Sequence, residues 1–202
     1  MGRKGTGKTY LLRELLDDVE RLLLFDPNGE YGSLVPQPAA APSALPRWRL
    51  VAEAFHILGW HRLAELAQVT DAPGGDGEPP RQVIRSVKNF ELFMDLVREA
   101  DGWSIAIDEA HHYWERHRVL IDELVRTMRH RQQDWFMISH RASWIPKSVI
   151  SQVDVLILFQ TTSGGDLKFL AAEFEGIDPD ELRGLGIGEY VELTVSRRET
   201  WK

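Results

Sequence analysis

The chain of 202 residues contains no cysteine, which excludes disulfides, thiolate metal sites and a cysteine nucleophile. It has no apolar run near the roughly 20 residues that a membrane-spanning helix needs, and its first residues do not resemble a signal peptide. These absences favour a cytoplasmic protein. The remaining composition, 43% hydrophobic and 27% charged residues, is typical of one globular domain.

The chain lacks an excess of positive charge: 24 Lys or Arg stand against 31 Asp or Glu, for a formal net charge of −7. This balance argues against a nonspecific nucleic-acid binder. The charge is unevenly spread. Residues 111–147 hold seven Lys or Arg against four Asp or Glu, together with five of the seven histidines. This segment is either a solvated helix face or a basic surface that could meet phosphates locally.

A strand is lacking before the first motif. Residues 2–9, GRKGTGKT, match G-x-x-x-x-G-K-[ST], the phosphate-binding loop that normally joins a buried strand to a helix. Here only Met1 precedes the loop. We expect the translated start to lie upstream of this numbering; otherwise another segment or subunit would have to take the place of the first strand.

The loop predicts a nucleotide site. Backbone N–H groups of a glycine-rich loop, together with the N-terminus of the following helix, bind phosphates. Lys8 would reach the β- and γ-phosphates of ATP, and Thr9 would place its hydroxyl on Mg²⁺. The predicted nucleotide-binding residues of the loop are Gly2, Gly5, Thr6, Gly7, Lys8 and Thr9.

A second motif, Ile-Ala-Ile-Asp-Glu at residues 105–109, places two acids directly after a predicted strand. Asp108 would join the Mg²⁺ shell through water, and Glu109 would orient or deprotonate an attacking water. The alternative is that both acids stabilise the N-terminus of the next helix. The loop upstream favours the catalytic interpretation, and the acid pair favours hydrolysis over phosphoryl transfer to a small molecule.

The histidines suggest two different roles. His111 and His112 lack metal-ligand spacing with a nearby third ligand, so we expect both to be helix residues. His140 ends a predicted buried strand and should point at the γ-phosphate region. The alternative for His140 is a strand-end histidine in a structural hydrogen bond.

Three arginines cluster near the end of the long predicted helix, at Arg126, Arg129 and Arg131. A ring motor needs an arginine that reaches the neighbouring subunit's γ-phosphate and stabilises transition-state charge. We expect Arg129 or Arg131 to be this finger in trans. The alternative is that these cations complement the C-terminus of the helix.

Strands that alternate with helices predict an α/β fold with a mostly parallel sheet and helices on both faces. We expect a single domain over residues 1–202, with a loop-rich excursion at about 36–80 that includes a short strand near 48–51 and a helix near 62–68. The glycine loop, Asp26, Asp108-Glu109 and His140 all follow predicted strands. Ligands bind at the carboxyl ends of such strands, so these groups should face one crevice.

Four stretches together carry a family resemblance: GRKGTGKT, FDPNGEYG, AIDEAHHYW and the segment at 129–160. They resemble the HerA–FtsK superfamily of DNA-pumping ATPases, most closely the short packaging ATPases of membrane-containing double-stranded DNA viruses. The resemblance implies a P-loop NTPase fold of the RecA/ASCE type. It covers most of the chain except about 36–80.

The resemblance also implies roles for individual residues. Lys8 and Thr9 would bind ATP and Mg²⁺ as the Walker A motif, and Asp108 and Glu109 would be the Walker B pair. His140 occupies the sensor position, where the family usually carries glutamine. A histidine there would make the ATPase depend on pH near neutrality.

The function that the resemblance implies is an ATP-hydrolysing ring, a hexamer or pentamer, that threads double-stranded DNA and packages a viral genome. Such a protein would work in the host cytoplasm or with the virion, with a capsid vertex as a docking partner. Arg129 or Arg131 would be the finger.

Other functions remain open. Within the superfamily, these are a HerA-like translocase with a nuclease partner, or a phage assembly ATPase like the zonular occludens toxin proteins. Outside it, they are a P-loop small-molecule kinase or an inactive nucleotide-binding scaffold. A GTPase is disfavoured, because no Asn-Lys-x-Asp motif is present.

Overall fold

The computed structural model describes residues 1–2, 5–31, 34, 69–72, 81–86 and 89–194. In chain order, its main elements are α1 (Lys8–Asp17), β1 (Arg21–Phe25), β2 (Val69–Ala72), β3 (Arg81–Ser86), α2 (Phe90–Glu99), β4 (Ser104–Ile107), α3 (His111–Thr127), β5 (Asp134–Met137), α4 (Lys147–Ile150), β6 (Val155–Phe159), α5 (Gly164–Glu173), α6 (Pro179–Gly184) and β7 (Tyr190–Thr194). The strand and helix predicted near 48–51 and 62–68 lie outside the described residues.

Contacts divide the chain into two compact units. One, here called the loop unit, comprises Met1–Tyr10, Glu109–Arg126 and Ile138–Lys202. The other, the sheet unit, comprises Leu11–Asp108 and Thr127–Met137. The single domain over 1–202 therefore stays a prediction, and each unit is described by itself.

The sheet unit contains a five-stranded sheet in the order β2-β3-β1-β4-β5. Strands β3, β1, β4 and β5 run parallel, and β2 pairs antiparallel with β3 at one edge. The predicted α/β fold with a mostly parallel sheet is confirmed. Strand β2 lies within the loop-rich excursion predicted at about 36–80, most of which falls outside the described residues.

Strand β1 is buried because its sequence is apolar nearly throughout. Its Leu22–Phe25 side chains are at most 1% exposed, as expected for a strand covered on both faces. Helix α2 packs beside it, with the ring centroids of Phe90 and Phe93 at 5.1 and 5.4 Å from that of Phe25. Asn89 starts this helix, since its side chain accepts the N–H of Leu92 at 3.1 Å.

The loop unit contains the antiparallel pair β6–β7 and most of α3. Helix α3 ends at Thr127, with non-helical dihedral angles at His117. Helix α5 begins at the Ser163 cap, and α6 begins at the Asp178 cap with a proline in its first turn. Among the described residues, no helix is long and apolar enough to cross a membrane.

Candidate active site

The backbone of the phosphate loop requires glycine at several positions. Gly2, Gly5 and Gly7 have φ angles of 146°, 80° and 105°, which L side chains rarely adopt. A Cβ on Gly2 would also lie 2.8 Å from the Cβ of Phe159. The glycines therefore allow both the loop's curvature and its close approach to β6, while Arg3 and Lys4 lie outside the described residues.

The loop is anchored at both ends within the loop unit. The N–H of Phe159 donates to the carbonyl of Met1 at 2.7 Å, and the amino group of Met1 donates to the carbonyl of Ile157 at 2.5 Å. This is the hydrogen-bond pattern of parallel strands. Farther along, the N–H of Gly188 donates to the carbonyl of Thr6 at 3.0 Å. The loop is thus held by backbone bonds to β6 and to the turn before β7.

Lys8 and Thr9 begin α1, directly behind the loop. Lys8 is buried, at 7% exposure, and its Nζ donates to the carbonyl of Gly2 at 2.8 Å. Thr9 is half-buried. The ammonium is therefore directed into the concave side of its own loop, where a phosphate oxygen could replace the carbonyl as its acceptor.

Glu109 stands in an unusual backbone conformation between β4 and α3. Its φ is 51°, a left-handed angle that costs a non-glycine residue about 1–3 kcal/mol and is concentrated at functional sites. The following N–H, of Ala110, donates to the carbonyl of Ile138 at 2.9 Å. That bond places Glu109 beside the segment that carries His140.

His140 joins the acid to the loop. Its Nε2 lies 2.5 Å from Oε1 of Glu109, and its Nδ1 lies 3.3 Å from the carbonyl oxygen of Gly2. Both partners are oxygen acceptors, so a ring with N–H groups on both nitrogens would donate to both at once. Three predicted site elements, the loop, Glu109 and His140, are therefore brought together within the loop unit.

His111 and His112 also face Glu109. Their Nε2 atoms lie 3.3 and 3.8 Å from its Oε2. The expectation that no third ligand lies nearby is wrong, because the potential ligand atoms of these three residues lie within 4.8 Å of one another. Burial, followed by the neighbouring His112, lowers the pKa of His111 to about 4, so its ring is neutral at neutral pH.

Two acids of the sheet unit follow strands as predicted. Asp108 is buried, at 2% exposure, and its N–H donates to the carbonyl of Phe25 at 3.1 Å. Asp26 is fully buried, and its carboxylate accepts the N–H groups of Glu30 at 2.9 Å and Tyr31 at 3.0 Å. Asp26 therefore orders its own Asp-Pro-Asn-Gly-Glu-Tyr turn, a structural role that its strand-end position did not indicate.

Arg129 and Arg131, the two candidates for the arginine finger, both lie in the sheet unit and differ in exposure. Arg131 pairs with Asp101, with Nη1 at 3.1 Å from Oδ1, and its side chain is only 33% exposed. Arg129 is exposed. Arg129 therefore presents more of its surface to solvent than Arg131 does.

Comparisons with known proteins identify the fold. No protein-family model matches the sequence, and neither does any curated protein. Among solved structures, the genome packaging NTPase B204 from Sulfolobus turreted icosahedral virus 2, in complex with AMPPCP, matches with a TM-score of 0.65 at 17% identity over 96% of this chain and 89% of that chain. This chain shares its fold.

Two further structures give the same result. The same NTPase in complex with ATP-gammaS has a TM-score of 0.64 at 18% identity, over 96% of this chain and 89% of that one. The DNA-packaging ATPase B204 from Sulfolobus turreted icosahedral virus has a TM-score of 0.60 at 18% identity, with the same coverage of both chains. The predicted likeness to viral packaging ATPases is confirmed at the level of fold.

Sequence reasoning missed an ion pair between half-exposed Arg141 and buried Asp166. Asp166 accepts the N–H of Ser143 at 3.0 Å, the hydroxyl of Ser143 at 2.7 Å and Nη1 of Arg141 at 3.2 Å. Burial alone would raise the pKa of Asp166, but the hydrogen bonds from Ser143, Arg141 and Ser163 outweigh it and lower the pKa. The Ser-x-x-Asp pattern at 163–166 signals a helix start, but no local pattern signals the pair with Arg141.

Proposed function

We propose that the chain is an ATPase that hydrolyses ATP in the loop unit. The observation that carries this proposal is the contact of one imidazole, His140, with both Gly2 of the phosphate loop and the carboxylate of Glu109. Hydrolysis needs phosphate-binding groups and a water-activating acid in one place. The shared fold with an NTPase that binds ATP analogues supports the same conclusion.

The residues fit Mg²⁺–ATP. The positive φ angles of Gly2, Gly5 and Gly7 give the loop its curvature, and buried Lys8 supplies a positive charge. Thr9 and Asp108 would hold Mg²⁺, which neutralises charge on the β- and γ-phosphate oxygens when bound. Glu109 would orient the attacking water and accept its proton, while His140 would set the position of the Glu109 carboxylate.

We further propose that the chain forms a homo-oligomeric ring of five or six subunits that moves double-stranded DNA into a viral capsid. The structural neighbours are genome-packaging proteins, which supports this use of the fold. In such a ring, Arg129 or Arg131 would act on the neighbouring subunit's γ-phosphate, and the more exposed Arg129 is the first to test. The work would take place in the host cytoplasm at a capsid vertex.

The first test is ATP hydrolysis by the chain with and without linear double-stranded DNA, beside the Lys8→Ala and Glu109→Gln variants. DNA-stimulated turnover that both variants abolish is the expected result. Turnover that DNA does not stimulate would support ATP hydrolysis and contradict the proposal that the chain moves DNA. ATP binding without any turnover would instead identify a nucleotide-dependent scaffold.

The finger can be tested by mixing subunits. A Lys8→Ala subunit keeps Arg129, and an Arg129→Ala subunit keeps the phosphate loop. If Arg129 acts in trans, the mixture regains activity that neither variant has alone. Arg126→Ala, at another exposed arginine near the end of α3, is the matched control and should keep its activity unmixed. Arg129→Ala with undiminished activity would refute the assignment.

A further inference from the structure

The turn Gly186–Gly188 lies against the phosphate loop, although the two are far apart in the chain. The N–H of Gly188 donates to the carbonyl of Thr6 at 3.0 Å. A Cβ on Gly7 would lie 3.4 Å from the Cα of Gly188. The turn therefore contacts two successive loop residues, on the part of the loop that precedes Lys8.

The conformation of this turn is fixed from within. The carboxylate of Glu189 accepts the N–H of Gly186 at 2.7 Å, and the N–H of Glu189 donates to the carbonyl of Gly186 at 3.3 Å. Gly188 has a φ of 83°, which favours glycine. The backbone of residue 187 is thus held in a defined place beside the loop.

The side chain that the turn carries is Ile187, and it is 87% exposed, the highest value among the exposed large hydrophobic residues of the described chain. An isoleucine so exposed contributes almost no burial to the fold. Its β-branched side chain is also stiff, so little rotamer freedom is lost when something packs on it. Such a side chain is suited to contact a flat apolar ligand surface.

The two sides of the loop differ in chemistry. Gly2 faces His140, which in turn contacts Glu109, so the bond to be broken belongs near these groups. Thr6 and Gly7 face the turn instead. An ATP molecule extends beyond its phosphates through ribose and base, so its base must find a surface apart from the reacting end.

We propose that Ile187 is the nucleobase platform of the ATP site and packs on one face of the adenine ring. This inference rests on the proposed ATPase function and adds the residue that contacts the base. The side chain of Ile187 offers no hydrogen bond, so it recognises a purine by area and shape. ATP and GTP should therefore bind with similar affinity, and inorganic tripolyphosphate should not use Ile187 at all.

The test compares ATP with inorganic tripolyphosphate, each titrated into the full chain. Ile187→Ala should weaken ATP binding roughly tenfold, which is the size expected from losing one well-buried aliphatic contact. Tripolyphosphate affinity should stay within about twofold, because the loop itself is unchanged. Ile187→Phe should restore or strengthen ATP binding, since an aromatic ring can stack on the base.

Val119→Ala is the matched control, because Val119 is a similarly exposed aliphatic residue, at 84%, on α3 of the same unit. It should change neither affinity. Equal losses for ATP and tripolyphosphate in Ile187→Ala would show a disturbed loop and overturn the proposal. Unchanged ATP affinity would overturn it too, and altered assembly or DNA stimulation in that case would show that Ile187 meets a macromolecule.

Failure of the proposed function has a different signature. If the unmodified chain binds neither ATP nor tripolyphosphate, or if Lys8→Ala leaves both affinities intact, the loop is not a nucleotide site and both proposals fall. If Lys8→Ala weakens both ligands while Ile187→Ala weakens neither, only the base platform is wrong.

Discussion

Two acids that look alike in the sequence, Asp26 and Glu109, follow neighbouring parallel strands of the sheet. The carboxylate of Asp26 accepts the N–H groups of Glu30 and Tyr31 and so stabilises the turn that follows its strand. Glu109 lies in a strained backbone conformation and faces imidazole rings. The strand end supplies a position, and the partners of the carboxylate separate an acid that orders a turn from one that faces histidine rings.

The sharpest test of this difference is Glu109→Gln. We expect kcat to fall at least about 100-fold, because an amide cannot accept a proton from water. ATP affinity and the unfolding midpoint should change little. Steady-state hydrolysis, ATP titration and denaturant unfolding would check this, and a variant that keeps more than half its rate would contradict it.

Asp26→Asn should show the opposite behaviour. Replacing a buried carboxylate that accepts two backbone N–H groups should cost about 2 kcal/mol of unfolding free energy. The rate per folded molecule should stay close to that of the unmodified chain. Urea unfolding and kcat are measured on the same preparation. If Asp26→Asn loses activity without losing stability, the proposed difference between Asp26 and Glu109 is wrong.

His140→Gln tests whether the imidazole of His140 positions the carboxylate of Glu109. The two ring nitrogens of His140 face two different oxygen acceptors, and a glutamine amide, with both N–H groups on one nitrogen, would not span them in the same way. We expect kcat to fall severalfold in the glutamine variant while ATP affinity stays within about twofold, because Glu109 loses a fixed partner. Steady-state hydrolysis and ATP titration are the measurements, and an unchanged kcat would exclude a role for the imidazole.

The smallest effect is expected at Asp166, an acid that resembles Asp26 in being satisfied by hydrogen bonds. Its pKa is lowered in the folded chain, so its contribution to stability is present above the carboxyl's usual value near 4 and is lost as the pH falls through the lowered value. Asp166→Asn should therefore flatten the acid side of the stability curve. Urea unfolding at a series of acidic pH values measures this. If the free energies of unfolding of the two proteins fall in parallel as the pH falls, the prediction is wrong.

The features that could be predicted from the sequence depend on neighbouring residues. The loop glycines, the apolar run of β1 and the helical spacing of α3 are local patterns of this kind. The contact of Gly188 with Thr6 and the pair of Arg141 with Asp166 join distant segments. No spacing rule encodes them, because they depend on how the strands and helices pack.

The edge strand β2 was not predicted from the sequence, for a related reason. Residues 69–72, Val-Thr-Asp-Ala, carry no apolar run, so sequence reasoning placed them near a loop, yet their backbone pairs with β3. Glu109 was recognised by its motif, but its left-handed φ and its histidine neighbours were not. The candidate site was therefore predictable as a set of residues, and its electrostatics required the structure.

The bond from Lys8 to the carbonyl of Gly2 has a consequence for how a ligand would arrive. The ammonium already has an oxygen partner, so binding at this position is an exchange of acceptors, and its net gain is the difference between two charged hydrogen bonds. Gly2 would lose one donor in the exchange and keep the ring of His140 nearby. A phosphate bound by Lys8 would therefore also change the hydrogen bonding of a carbonyl that Lys8 and His140 both contact.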